Sequence, residues 1–253
     1  MNAASSPNNA LPDAGGAVPR WAAAPPAMLA VPRGEPSIGG IVPYSSVDWP
    51  GMLACVVFIA GCPWRCSYCH NPHLQVRGGH YDWNAVLEFL RSRQGLLDAV
   101  VFSGGEPLSE PRLPQMVRAV RTLGFRVALH TAGIYPSRLR ELLPSLDWVG
   151  FDVKADAAGH DALTGRTGTY PAAQACLDSL LASRANFECR TTWHPDWLTE
   201  PALLDLARDL ARRGVRHYTV QNHRPSPGSA PSAALSAAAL DELQALFPQF
   251  LYR

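Results

Sequence analysis

The sequence predicts an α/β fold whose parallel sheet winds into an open six-unit (βα) barrel. Three observations carry this. Short apolar runs rich in β-branched residues alternate with stretches of helical spacing from Cys55 to Phe247. Six such strand–helix pairs can be counted. The span is about 190 residues, whereas a full eight-unit barrel takes about 250. A flat, doubly wound sheet gives the same alternation and is the alternative.

The elements follow in order. Cys55–Ala60 (CVVFIA) is unbroken apolar sequence, as in a strand buried on both faces. Asp82 to Arg93 places Val86, Leu87, Phe89 and Leu90 at helical spacing, with Asp82 as N-cap. Strands are predicted at 99–102, 126–130, 148–153, 187–192 and 217–221. Helices are predicted at 113–123, 137–143, 172–183, 200–213 and 235–247. Gly124 and Gly214 stop two of the helices. Residues 1–37 are rich in Ala, Pro, Gly, Ser and Asn and read as a disordered or loosely attached extension. Residues 38–253 read as one catalytic domain.

Bulk properties narrow the function classes. A 47% hydrophobic content is enough for one sizeable core. A net charge of +1 gives no broad basic surface for nucleic acid. No apolar run approaches the roughly 18 residues that a membrane span needs. The N-terminus lacks the pattern of a signal peptide, so the expected location is the cytoplasm. Of the six cysteines, Cys55, Cys176 and Cys189 are scattered in apolar or mixed segments and read as buried thiols.

The other three are Cys62, Cys66 and Cys69, within GCPWRCSYCHNPHLQ. At 6 cysteines in 253 residues, random placement yields roughly 0.003 such C-x3-C-x2-C matches. Three thiolates can grip one iron–sulfur cluster or one metal ion. A [4Fe–4S] cluster normally takes four cysteines, so three leave one iron open. Zinc is the other reading, with His70 or His73 as the fourth ligand, but its usual distant Cys/His pair is missing.

The remaining candidates fall at predicted strand ends, where parallel βα folds carry their sites. Ser103-Gly104-Gly105-Glu106-Pro107 follows the second strand. Its glycines permit close backbone approach to a ligand, and Glu106 is placed to accept a hydrogen bond from an ammonium group. Thr131 ends the third strand. Asp152 and Lys154 share one face at the end of the fourth. Arg190 can clamp a carboxylate from the fifth strand, and His223 follows the sixth. Trp64 and Arg65 read as solvent-facing, and His70 and Asn71 as loop-shaping residues.

The cysteine spacing, with Tyr68 before the last cysteine, resembles the radical S-adenosylmethionine (SAM) enzymes. Cys69-His70-Asn71 brings it nearer to the activating enzymes of glycyl-radical proteins. The resemblance implies a partial (βα)6 barrel, a [4Fe–4S] cluster on Cys62, Cys66 and Cys69, and SAM bound to the open iron. It implies SAM contacts at Tyr68, Gly104, Gly105, Glu106, Thr131, Asp152, Lys154, Arg190 and His223. Thr131-Ala132-Gly133 departs from the family's Thr-Asn-Gly and loses the asparagine contact. The implied chemistry is one-electron cleavage of SAM, followed by hydrogen abstraction from a target. Electrons would come from flavodoxin or ferredoxin, since the chain shows no flavin or nicotinamide motif. Asp48-Trp49-Pro50-Gly51 and Arg190-Thr191-Thr192 resemble the group that activates anaerobic ribonucleoside-triphosphate reductase. Pyruvate formate-lyase activation, or a radical SAM reaction on a small molecule, is the alternative.

Overall fold

A computed structural model describes residues 35–223 and 233–253. The predicted extension lies outside the described residues except for Glu35, Pro36 and Ser37, of which Pro36 and Ser37 are buried.

The described residues form one eight-stranded sheet whose spatial order is its sequence order. β1 (Ile38–Ser45) runs antiparallel to β2 (Ala54–Ile59). The rest is parallel: β3 (Ala99–Gly104), β4 (Arg126–Thr131), β5 (Trp148–Asp152), β6 (Asn186–Trp193), β7 (His217–Asn222) and β8 (Gln249–Tyr252). A doubly wound sheet reverses its strand order at a switch point. This sheet does not, which removes that alternative. It is open, because β1 and β8 are the two ends of the order.

The connecting helices are α1 (Trp83–Arg91), α2 (Leu113–Thr122), α3 (Pro136–Leu142), α4 (His160–Thr164), α5 (Tyr170–Leu181), α6 (Glu200–Arg212) and α7 (Ala237–Leu246). The caps are local. The Asp82 side chain accepts from Ala85 N–H at 3.0 Å at the start of α1. Thr199 and Ser236 cap α6 and α7 in the same way. α6 buries Leu203, Leu206, Ala207 and Leu210, an i, i+3, i+4, i+7 stripe.

Period-two alternation splits each strand between two cores. Cys55, Val57, Ile59, Val100, Phe102, Val127 and Leu129 face the helices. Ala54, Val56, Ala99, Val101, Ala128 and Trp148 face inward and form a separate cluster around Trp49. The Trp49 ring stacks on Trp148 with centroids 5.9 Å apart. The small inward residues leave room for this indole, and together they fill the barrel floor. Trp49 of the Asp48-Trp49-Pro50-Gly51 stretch is therefore a core residue. Above it the inward positions turn polar: Ser103, His130, Asp152, Arg190 and Gln221.

Candidate active site

The cysteine loop leaves β2 and closes on itself at its root. Gly61 N–H donates to Leu74 O at 2.7 Å, and Cys62 N–H to Gln75 O at 3.0 Å. The end of β3 fits beneath this root. At Gly104, φ is 124°, a left-handed value that favours glycine. The turn lets Gly105 N–H donate to Ile59 O at 2.9 Å and Glu106 N–H to Gly61 O at 3.0 Å. A Cβ on Gly105 would sit 2.7 Å from Leu74 O and 2.9 Å from Gly61 O. The two glycines thus make room for the protein's own backbone at the loop root, in addition to lining the cavity.

That cavity has a volume of about 770 Å³. Cys62, Cys66, Cys69, Tyr68, Gly104, Gly105, Thr131, Asp152, Lys154 and Arg190 all line it. Cys62, Cys66 and Cys69 are partly exposed and unpaired, whereas Cys55, Cys176 and Cys189 are buried and unpaired.

Glu106 corrects its expectation. Its side chain is fully buried, and it does not stand open to an ammonium group. One oxygen accepts from Leu108 N–H at 3.0 Å and the Thr131 hydroxyl at 2.8 Å; the other accepts from Ala132 N–H at 3.0 Å. The carboxylate ties the end of β3 to the end of β4. Burial pushes its carboxyl up to about 7, against the lowering effect of those hydrogen bonds. Thr131 lines the cavity while its oxygen also accepts from Gly133 N–H at 3.1 Å.

Asp152, Lys154 and Arg190 form a charged trio. Lys154 Nζ is 3.2 Å from Asp152 Oδ2, and Arg190 Nη2 is 3.0 Å from Asp152 Oδ1. Arg190 folds over Gly150, where a Cβ would meet its guanidinium at 2.7 Å. Burial raises the Asp152 carboxyl, but the two cations lower it more, leaving it at about 2. Lys154 stays charged, its pKa raised well above the ordinary value by Asp152 despite burial. Its ammonium lies 5.3 Å from the centre of the Tyr68 ring.

His223 does not line the cavity; it stands in an aromatic group beside it. Its ring stacks on His70 at 5.2 Å and meets Trp197 edge-on at 4.6 Å. Trp64 corrects another expectation. Only 4% exposed, it meets His160 edge-on at 5.3 Å. Arg65 is exposed as expected. His130 and Arg253, which the sequence did not single out, also line the cavity, as does Asp48 of the Asp48-Trp49-Pro50-Gly51 stretch. His130 Nε2 is 2.8 Å from Asp48 O. Burial, with Arg190 nearby, brings its imidazole down to about 3. The alternation that puts Ala128 inside the barrel also puts His130 inside, so that signal was present.

Residues 56–189 match the radical SAM superfamily. The match covers more than half of the chain, and the chain belongs to that superfamily. The family uses a [4Fe–4S] cluster and SAM. Over 206 residues the chain is 28% identical to a Methanocaldococcus jannaschii protein named as a glycyl-radical enzyme activating enzyme, covering 74% of this chain and 80% of the relative. Over 128 residues it is 36% identical to the pyruvate formate-lyase-activating enzyme of Clostridium pasteurianum, covering 47% of this chain and 53% of the relative. The crystal structure of Streptococcus suis SuiB bound to precursor peptide SuiA aligns with a TM-score of 0.61 at 14% identity, over 78% of this chain and 48% of that one; it shows the fold alone. Among the described residues no helix is long and apolar enough to cross a membrane.

The donor set fits a cluster. Three thiols on one loop line the same cavity, and no fourth cysteine lines it. Burial pushes the Cys62 thiol up to about 11. A coordinating metal reverses that shift by holding the sulfur as thiolate.

Proposed function

We propose that this chain activates a glycyl-radical enzyme, and that its target is anaerobic ribonucleoside-triphosphate reductase. The observation carrying the reading is that Cys62, Cys66 and Cys69 share one cavity with the Asp152–Lys154–Arg190 trio. The cysteines would hold a [4Fe–4S] cluster, which when bound supplies one electron for the cleavage of SAM. Lys154 and Arg190 present cationic donors suited to SAM's carboxylate, and Asp152 presents an acceptor suited to its ribose. Tyr68, Gly104, Gly105 and Thr131 shape the wall around it. Glu106 serves by fixing the Thr131 hydroxyl and the Ala132 backbone N–H, and His223 by building the rim. Flavodoxin or ferredoxin would supply the electron, and the cytoplasm is the proposed location.

The reductase reading is supported by the Asp48-Trp49-Pro50-Gly51 and Arg190-Thr191-Thr192 resemblances. With Trp49 packed in the floor, Asp48, Arg190 and Thr192 are the members of these motifs that line the cavity. Pyruvate formate-lyase as the target is the second reading, favoured by the Clostridium relative. The test starts with anaerobic reconstitution. The protein should take up about four irons per chain, and Cys66→Ala should not retain the cluster. Reduced protein with SAM should then raise a glycyl EPR doublet on the reductase, with one 5′-deoxyadenosine per radical. A Cys66→Ala variant that keeps its cluster and cleaves SAM would overturn the site. A silent reductase beside a radical-bearing pyruvate formate-lyase would overturn the target alone.

A further inference from the structure

The stretch 155–169, between β5 and α5, contributes no residue to the function proposed above. Yet it holds the cysteine loop at five successive places. Arg166 Nε donates to Pro63 O at 2.9 Å. His160 meets the edge of Trp64. Arg65 N–H donates to Thr164 O at 2.8 Å, and Ser67 N–H to Leu163 O at 3.2 Å. Tyr68 is buried in a small cluster with Ala155 and Leu163. The two backbone bonds flank Cys66, which lines the cavity. The acceptors are carbonyls from the last turn of α4, groups that a helix leaves without internal partners. Gly165 sits against Arg65 O in the left-handed region, φ 64°, where an added Cβ would come within 2.8 Å of it.

A five-residue helix has almost no stability of its own. What holds α4 in place from within the stretch is a latch that His160 forms in addition to its contact with Trp64. His160 is 2% exposed, with Nδ1 2.7 Å from Thr169 Oγ1. Thr169 donates its hydroxyl proton to Asp161 Oδ1 at 2.7 Å and its N–H to the same oxygen at 2.9 Å. Gly168 N–H donates to Asp161 Oδ2 at 2.7 Å. With the Thr169 proton spent on Asp161, the bond from His160 needs the tautomer protonated at Nδ1.

We propose that residues 155–169 are a clasp that fixes Cys66 for cluster binding, and that His160 is its latch. His160 is thus a positioning residue acting through Thr169 and α4 and, at its ring edge, through Trp64. The proposal rests on the reading that the three cysteines hold the cluster.

The test uses the full chain, reconstituted anaerobically, with Thr169→Val, His160→Ala and His160→Asn. The valine is close in shape and removes only the hydroxyl. The asparagine keeps an N–H donor near the Nδ1 position. The readouts are the rate of iron loss to a ferrous chelator and the EPR line shape of the reduced cluster, taken well below the melting temperature. Far-UV circular dichroism serves as the folding control. Outer-shell partners change metal affinity by about 10–100-fold. We therefore expect iron loss about tenfold faster in Thr169→Val and at least that in His160→Ala, with His160→Asn, which restores the N–H but not the ring against Trp64, recovering part of the loss. If His160→Ala does not fold, Thr169→Val decides. Iron loss within about twofold of wild type and an unchanged spectrum in Thr169→Val would overturn the clasp while leaving the cluster reading intact. Wild-type protein that takes up no iron would overturn both.

Discussion

Glutamine at position 106 sets a donor against donors. The Glu106 carboxylate accepts from Leu108 N–H, the Thr131 hydroxyl and Ala132 N–H, all at 2.8–3.0 Å and all buried or nearly so. An amide nitrogen in place of either oxygen faces a backbone N–H. In the better orientation, with the nitrogen at the Oε2 position, one bond is lost and two donors, Ala132 N–H and the amide itself, are left without partners. A buried unsatisfied group costs about 1–3 kcal/mol, so Glu106→Gln should cost about 2–4 kcal/mol. For a chain of this size each kcal/mol moves Tm by about 2–4 °C. The ligand-free variant should therefore melt roughly 5–15 °C below wild type by circular dichroism. The effect should also depend on pH. Burial holds the wild-type carboxyl at about 7, above its ordinary 4.5. Stability from such a raised group is complete below about pH 4.5 and is lost as pH rises through about 7, because the unfolded chain ionises first. Glutamine does not titrate, so the gap between variant and wild type should narrow from pH 5 to pH 8. A variant that melts with wild type but has lost affinity for SAM would refute the reasoning and return the carboxylate to the ligand.

Two further substitutions probe the site from below and from the side. Trp49→Ala removes the indole that fills the floor and should cost about 3–5 kcal/mol, read as a lower urea midpoint; a loss under about 1 kcal/mol would mean that the ring is not a core residue. Asp152→Asn leaves the largely buried Lys154 and Arg190 without their shared counter-charge. With Asp152 itself about a third exposed, the cost should be about 2 kcal/mol rather than the 3–5 kcal/mol of a fully buried pair. Wild type should lose the same contribution only on acidification through about pH 2, and an unchanged urea midpoint for the variant at pH 7 would show that the trio adds nothing to the fold.

The parts of the fold that follow one periodicity over enough residues were legible. β2 to β7 and the main helices lie close to where apolar runs and helical stripes put them. The two sheet ends were not. β1 contains Gly39, Gly40 and Pro43, which argue against a strand, and β8 has only four residues, Gln249–Tyr252. α4 was missed because its stretch, Gly159 to Gly168, is turn-like in composition and is helical only through the contacts it makes with other parts of the chain. In the site, Cys62, Cys66 and Cys69 were legible from spacing alone, and Asp152 and Lys154 from alternation. The direction of Glu106 was not, because it depends on the reversal at Gly104, which turns the carboxylate under the strands. Trp64 was misread for a related reason: its partner, His160, is almost a hundred residues away and lies in the element that sequence reasoning left unassigned.

The filled floor also constrains the order of events. With Trp49 and Trp148 stacked across the bottom of the barrel, the floor offers small molecules no passage, so they enter and leave the cavity above it. A protein target seated over that mouth would hold spent methionine and nucleoside inside until it departs. On the proposed reading each docking would spend one SAM, and recharging would wait for an empty doorway. On that reading turnover would be paced by the departure of the larger guest.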